Sequence, residues 1–198
     1  CIRDRHWGTS VRVAGLITLI AAVHYYYMRD VWVSTGETPT VLRYIDWLLT
    51  VPLQMVEFYL ILAACTNVAG SLFKKLLVGS LVMLGAGFAG EAGLAPAMPA
   101  FIVGMAGWLY MIYELYMGEG KAAVSTASPA VNSAYNAMMM IIVFGWSIYP
   151  LGYVAGYLMG AVDASTLNLI YNLADFINKI LFGLIIWHVA VKESSHSH

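Results

Sequence analysis

Six long stretches of apolar residues divide the chain, and short polar segments separate them. Each stretch is close to or above the roughly 20 residues that an α-helix needs to cross a bilayer. The predicted spans are approximately 11–28, 41–64, 72–90, 98–117, 131–159 and 167–191. The segments between them are rich in Gly, Pro, Ser, Thr and Asn, which are typical of turns. The pattern predicts an all-α integral membrane protein that forms a single domain over residues 1–198.

The composition agrees with this prediction. Of the 198 residues, 61% are hydrophobic and only 11% are charged, whereas about a quarter of a soluble domain is charged. The net charge of −1 gives no indication of nucleic-acid binding. Two cysteines, Cys1 and Cys65, predict neither a disulfide framework nor a metal site. The first residues, CIRDRHWG, are charged, unlike the apolar core of a secretory signal peptide.

Basic residues indicate the orientation in the membrane. Seven lie on the side that both termini share, against one, Arg29, on the other side. The seven are Arg3, Arg5, Arg12, Lys74, Lys75, Lys121 and Lys192. Because cytoplasmic loops carry an excess of Lys and Arg, we expect both termini to be cytoplasmic.

The last span contains a lysine, Lys179, near its middle. A lysine at this depth is costly, so it usually has a partner charge or a chemical role. Asp175 lies four residues earlier, on the same helix face. A buried amine beside a carboxylate suits a Schiff base, in which the lysine is linked to an aldehyde. The alternative is a purely structural network of buried ion pairs.

The second span carries two carboxylates on one face. Asp46 and Glu57 are separated by about 1,100°, within ~20° of whole helical turns, and by ~16 Å along the axis. Arg43 lies one turn before Asp46, and Thr50 one turn after it. The second and last spans both run from outside to inside, so Lys179 falls between the two carboxylates in depth. This order is the one that proton transfer in a single direction requires.

Aromatic residues near mid-depth in four spans predict an apolar slot for a long conjugated ligand; they are Trp47, Trp108, Trp146, Tyr149 and Tyr171. Ordinary helix packing is the alternative for these rings. His24 lies near the depth of Asp46, so it is either a partner of that carboxylate or a hydrogen-bonded packing residue. Gln54, one turn beyond Thr50, is an amide in hydrocarbon and needs a polar partner.

Several of these stretches resemble the microbial rhodopsins, namely RYIDWLLTVPL, FGWSIYP and NLIYNLADFINKILFGLIIW. Together with HYYYMRDVW and NVAGSLFKKLLVGSLVM, they resemble the marine bacterial proteorhodopsins closely, over essentially the whole chain. The resemblance implies a helical bundle of the seven-helix type. Six of those helices are present here, because the match begins at the loop after the family's first helix.

The resemblance also implies roles for individual residues. Lys179 would carry all-trans retinal as a protonated Schiff base, with Asp46 as primary counterion and proton acceptor. Asp175 would be the second counterion, and Arg43 would shape the hydrogen-bond network of both carboxylates. Glu57 would return the proton from the cytoplasmic side.

His24 would pair with Asp46. The residues implied to contact retinal are Trp47, Thr50, Gln54, Met83, Trp108, Trp146, Tyr149, Pro150 and Tyr171. In proteorhodopsins a glutamine at the position of Gln54 implies a blue-absorbing form.

The leading hypothesis is therefore a light-driven outward proton pump, and not an enzyme. The resemblance implies a multi-pass protein of the bacterial plasma membrane that forms a homo-oligomer, a pentamer or a hexamer. One alternative is a photosensory rhodopsin that signals to a partner, although sensors commonly lack a carboxylate at the position of Glu57. A second alternative is a non-functional fragment in which the buried charges are only structural.

Overall fold

The computed structural model describes residues 2–195, with side chains for residues 7–194. Arg3, Arg5, His196 and His198 therefore have no described side chains. Within the described part every regular element is a helix: α1 Ile2–Thr35, α2 Thr40–Ala63, α3 Gly70–Glu91, α4 Ala97–Tyr116, α5 Glu119–Val124, α6 Pro129–Met140, α7 Ile148–Tyr153 and α8 Ala164–Ser195. Two π-helical turns, Ile141–Gly145 and Val154–Leu158, follow α6 and α7.

Six helical segments are long and apolar enough to cross a membrane, which confirms the predicted all-α membrane fold. The first helix is longer than the predicted span 11–28, since α1 has 34 residues. At 1.5 Å per residue this is ~51 Å, well beyond a hydrocarbon core of ~30 Å. Hydropathy found only the apolar part, because the ends of α1 carry polar residues that suit the headgroup region.

The fifth predicted span, 131–159, corresponds to one helical segment that contains two π-helical turns. At the first π-helical turn the Trp146 main-chain N–H donates to the Ile141 carbonyl at 2.9 Å, five residues back. A π-helical turn has no distinctive composition, so apolar periodicity did not reveal it. By contrast, α2 runs unbroken through Pro52.

The helices pack as a bundle in which neighbours in sequence are mostly neighbours in space. α1 packs against α2 and α8, α2 against α3, α3 against α4, and α6 against α8. α2 is the most enclosed helix. Its buried residues include both predicted carboxylates, Asp46 and Glu57, neither of which has any exposed side-chain surface.

A polar cluster joins the ends of α3, α4 and α5. The Lys75 ammonium lies 3.0 Å from a Glu114 carboxylate oxygen and 2.9 Å from one of Glu119, to which Ser71 also donates at 2.7 Å. Glu114 is almost fully buried, and its pairing with Lys75 satisfies its charge there. This cluster fixes one end of the bundle far from the residues at mid-depth.

Candidate functional site

Lys179 lies in α8 and is only 5% exposed. Its ammonium donates to Oδ2 of Asp46 on α2 and lies 3.4 Å from Oδ2 of Asp175 on its own helix. The sequence pointed first to Asp175, because of its spacing. The structure makes Asp46 the nearer partner, so one amine joins two carboxylates from two helices.

Asp175 accepts several further hydrogen bonds. The indole N–H of Trp47 donates to Oδ2 at 2.8 Å, the Tyr25 hydroxyl donates to the same oxygen, and the Tyr149 hydroxyl donates to Oδ1. Charged hydrogen bonds of this kind stabilise an anion in a low-dielectric interior. Asp46 differs, since its Oδ1 has no hydrogen-bond partner.

Sequence reasoning missed Tyr25 as a member of this site. It lies in α1, and its hydroxyl reaches a residue 150 positions away in the chain. The available signal was a run of three tyrosines directly after His24 within an apolar span. A buried tyrosine hydroxyl needs a polar partner, which could have marked one of the three as facing inward.

Arg43 lies one helical turn before Asp46 in α2 and is only 1% exposed. Its guanidinium donates to the amide oxygens of Asn168 and of Asn172, the latter at 3.0 Å, and its central carbon lies 5.3 Å from the Tyr171 ring centre. The described hydrogen bonds of Arg43 thus lead to asparagines of α8. The sequence had instead predicted that Arg43 would organise the carboxylates.

His24 does not form the expected direct pair with Asp46. Its ring Nδ1 lies 2.9 Å from the main-chain carbonyl of Ile20, one turn earlier in α1. A ring nitrogen that bonds to its own helix is held along that helix, and no hydrogen bond from His24 to Asp46 is present among the described side chains. His24 nevertheless lies near enough to Asp46 for the two to interact electrostatically, so their pairing stays a prediction.

Glu57 occupies a separate buried position further along α2. Its Oε2 accepts a hydrogen bond from the Ser10 hydroxyl of α1, and its Oε1 has no hydrogen-bond partner. Both residues are fully buried. Ser10 was not predicted, because a single serine in an apolar helix carries no distinctive signal.

A cavity lies between α2, α3, α4, α7 and α8, with Lys179 and Asp175 in its wall. Seven of the residues expected to contact a ligand line it: Trp47, Gln54, Met83, Trp108, Trp146, Tyr149 and Pro150. The Gln54 side-chain nitrogen is buried there without a hydrogen-bond partner. The cavity is therefore mainly apolar and aromatic, with a few polar groups at defined places.

Two expected lining residues, Thr50 and Tyr171, lie outside the wall of this cavity. The Thr50 hydroxyl donates at 2.9 Å to the Asp46 carbonyl of its own helix. The Tyr171 hydroxyl donates at 3.1 Å to the Tyr149 carbonyl, and the Tyr171 ring packs against Trp47. Tyr171 therefore supports the wall from behind, whereas Thr50 bonds only to its own helix.

One face of α4 also lines the cavity, and most of it was missed from the sequence. Phe101, Gly104 and Met105 join the predicted Trp108 there. They precede Trp108 by seven, four and three residues, the spacing of a single helix face. Extending the face of Trp108 by this spacing would have identified them.

Asn178, next to Lys179, links α8 to the first π-helical turn. Its side-chain N–H donates to the Gly145 carbonyl at 3.1 Å. A Cβ at position 145 would collide with the Asn178 amide, so a glycine is required for this approach. The contact positions the part of α8 that carries the amine.

The bundle and its buried amine define the class of this protein. The chain belongs to the family described as bacteriorhodopsin-like protein, whose model matches residues 2–193.

Within this family the chain is similar to the proteorhodopsins. It is 83% identical to the blue-light absorbing proteorhodopsin of Gamma-proteobacterium Hot 75m4, over 96% of this chain and 77% of that protein. It is 70% identical to the green-light absorbing proteorhodopsin of Gamma-proteobacterium EBAC31A08, over 98% of this chain and 80% of that protein. These relatives confirm the predicted resemblance to proteorhodopsins and to the blue-absorbing form.

The structure gives the same result. The crystal structure of blue light-absorbing proteorhodopsin from Med12 superimposes with a TM-score of 0.82 and 52% identity, covering 95% of this chain and 85% of that one. The Exiguobacterium sibiricum rhodopsin structure superimposes with a TM-score of 0.83 and 33% identity, over 96% and 85% of the two chains.

Proposed function

We propose that this protein is a light-driven proton pump that carries retinal on Lys179 and moves protons outward. The observation that supports this most directly is the buried ion pair between Lys179 and Asp46, beside an aromatic cavity. Glu57 is buried on the same helix as Asp46, about three turns further along. Relatives named for absorbing blue and green light agree with this proposal.

Retinal fits the cavity in shape and in chemistry. A long conjugated aldehyde needs an apolar slot that ends at an amine, and the cavity provides tryptophan rings from α2, α4 and the region after α6. Lys179 supplies the amine for a Schiff base, and its two carboxylate neighbours offset the positive charge of the protonated form. When bound, retinal supplies the absorption of light and a light-induced change of shape.

The residues of the chain handle the proton in a defined order. Asp46 Oδ2, which contacts the Lys179 nitrogen, accepts the proton from that nitrogen. Asp175 stays an anion, held by its three neutral donors, and keeps the site near its original charge. Glu57 then gives its proton to the nitrogen and takes up another from the inner side, and Asp46 releases its proton outward.

The direction follows from the placement of basic residues. With the termini cytoplasmic, α2 runs from outside to inside, so Asp46 lies outward and Glu57 inward, ~16 Å apart. The protein would then acidify the medium around a bacterial cell that carries it in its plasma membrane. Gln54, in the cavity wall, suits absorption in the blue.

The test uses cells that express the chain, supplied with all-trans retinal and illuminated in unbuffered medium. We expect the medium to acidify, and a protonophore to abolish the change. Lys179→Ala and Asp46→Asn should abolish it as well, whereas Glu37→Gln, an exposed carboxylate between α1 and α2, should leave it intact.

Glu57→Gln should keep the visible band but slow its recovery after a flash. Acidification that persists in Lys179→Ala would refute the proposal. Alkalinisation by the unmodified chain would refute its direction, and a photocycle that lasts seconds and is unchanged by Glu57→Gln would favour a sensor instead.

A further inference from the structure

A second cavity lies on the outside of the bundle, away from the aromatic cavity. It is a groove between α6 and α8. On α6 the groove is lined by small side chains, among them Ala134 and Ala137, and on α8 by larger apolar ones such as Leu181 and Ile185. Small residues on one helix leave the larger residues of the other helix uncovered, so the groove opens sideways to lipid.

The end of the groove toward the C-terminus is basic. His188 and Lys192 line it one helical turn apart, and both are exposed. The neighbouring acid, Glu193, is turned inward, where it is 6% exposed and accepts a hydrogen bond from Ser128 at 2.7 Å. No acidic side chain is found among the described residues that line the groove.

The length of the groove matches one leaflet of a bilayer. Leu181 and Lys192 are separated by 11 residues, or ~16 Å along α8, and half of a hydrocarbon core is ~15 Å. The basic end therefore lies at the level of the headgroups when the apolar part lies among the acyl chains. A lysine at this level attracts an anionic headgroup, and basic pockets between membrane helices are known to bind such lipids.

We propose that this groove binds an anionic phospholipid. One acyl chain lies between α6 and α8, and the phosphate accepts hydrogen bonds from the Lys192 ammonium and the His188 ring N–H. A second protein chain is a poorer occupant, because it would have to remove the lysine from water, whereas a lipid phosphate meets it at the interface. This inference does not depend on the pumping activity.

The experiment is native mass spectrometry of the purified full chain, with phosphatidylglycerol or phosphatidylcholine added at equal concentrations. We expect one phosphatidylglycerol to be retained more tightly than phosphatidylcholine. Lys192→Gln should lower the affinity for phosphatidylglycerol about fivefold, which is the effect of one basic residue near an anionic headgroup. Lys121→Gln, an exposed lysine on the same side but outside the groove, is the matched control and should change nothing.

Two further variants fill the groove. Ala137→Phe and Ser133→Phe place a ring where the acyl chain would lie, and either should prevent retention of both lipids. Ser133 is exposed, so its variant keeps the test decisive if the Ala137 variant does not fold. Equal retention of both lipids, or an equal loss in Lys121→Gln, would overturn the proposal. Loss of an oligomer in the filled variants, with lipid retention unchanged, would assign the groove to a second copy of the chain instead.

Discussion

The closest approach between α3 and α4 gives a quantitative test of the fold. A Cβ added at Gly107 of α4 would lie 2.8 Å from the Gly79 carbonyl oxygen, 2.8 Å from the Met83 nitrogen and 3.2 Å from the Met83 Cα. All three are main-chain atoms of α3, so no side chain can turn away. Gly107→Ala must therefore push the two helices apart.

The size of the effect follows from these distances. Restoring an ordinary contact of 3.4 Å from 2.8 Å requires a shift of 0.6 Å. A gap of this size forfeits at least a quarter of the dispersion energy of the atoms it separates, and overpacking in rigid surroundings costs about 3 kcal/mol. The higher helix propensity of alanine returns about 1 kcal/mol. We expect Gly107→Ala to lower the free energy of unfolding by about 2 kcal/mol.

The assay is reversible unfolding in mixed micelles titrated with dodecyl sulfate, followed by circular dichroism. Gly85→Ala is the matched control, because it lies on α3 and a Cβ there would meet no atom within 4 Å. Gly85→Ala should raise the free energy of unfolding by up to about 1 kcal/mol, so the unfolding free energies of the two variants should differ by about 3 kcal/mol. Equal stability of the two variants would refute the close approach. Since Met83 lines the aromatic cavity, Gly107→Ala should also bind retinal less well.

Two other predictions concern hydrogen bonds to single carboxylates. Ser10→Ala removes the hydrogen bond that stabilises the Glu57 carboxylate once its proton has left. Hydrogen bonds to charged groups contribute about 1.5–3 kcal/mol, so recovery of the visible band after a flash should slow at least about tenfold. Ser80→Ala, equally buried but bonded to its own helix, should recover normally, and an unslowed Ser10 variant would exclude the contact. Asp163, in the turn before α8, accepts hydrogen bonds from the Thr166 main chain and hydroxyl, which hold its pKa below the ordinary 3.8. The ionised Asp163 carboxylate thus stabilises the fold above pH 3.8, and this stabilisation is lost as the pH falls through the lowered pKa. The melting temperatures of Asp163→Ala and the unmodified protein should therefore differ at pH 6 and converge well below pH 3.8.

The sequence was sufficient for the number of spans and for the buried charges, and the reasons are physical. A membrane demands about 20 apolar residues per helix, so each span leaves a clear pattern. An ionisable residue in such a span is exceptional, and therefore Lys179, Asp46 and Glu57 were visible without any structure. Helical periodicity placed the two carboxylates of α2 on one face, which is where the structure has them buried.

Contacts between helices could not be derived in the same way. Periodicity gives the face of a helix but not its rotation against a distant neighbour, so Tyr25 and Ser10, both on α1, were missed as partners of Asp175 and Glu57. Depth brought His24 near Asp46, and the two interact electrostatically, but periodicity did not reveal that the ring Nδ1 bonds to its own helix.

The two carboxylates beside Lys179 differ in a way that assigns their proposed roles. Asp175 accepts hydrogen bonds from three neutral donors, Trp47, Tyr25 and Tyr149, and protonation would weaken all three at once. Asp46 accepts one from Lys179, and its other oxygen has no partner, so a proton from the amine costs it far less. The carboxylate nearer to Lys179 is thus also the one that accepts a proton at the lower cost. This asymmetry, more than distance alone, supports Asp46 as the acceptor and Asp175 as the fixed charge.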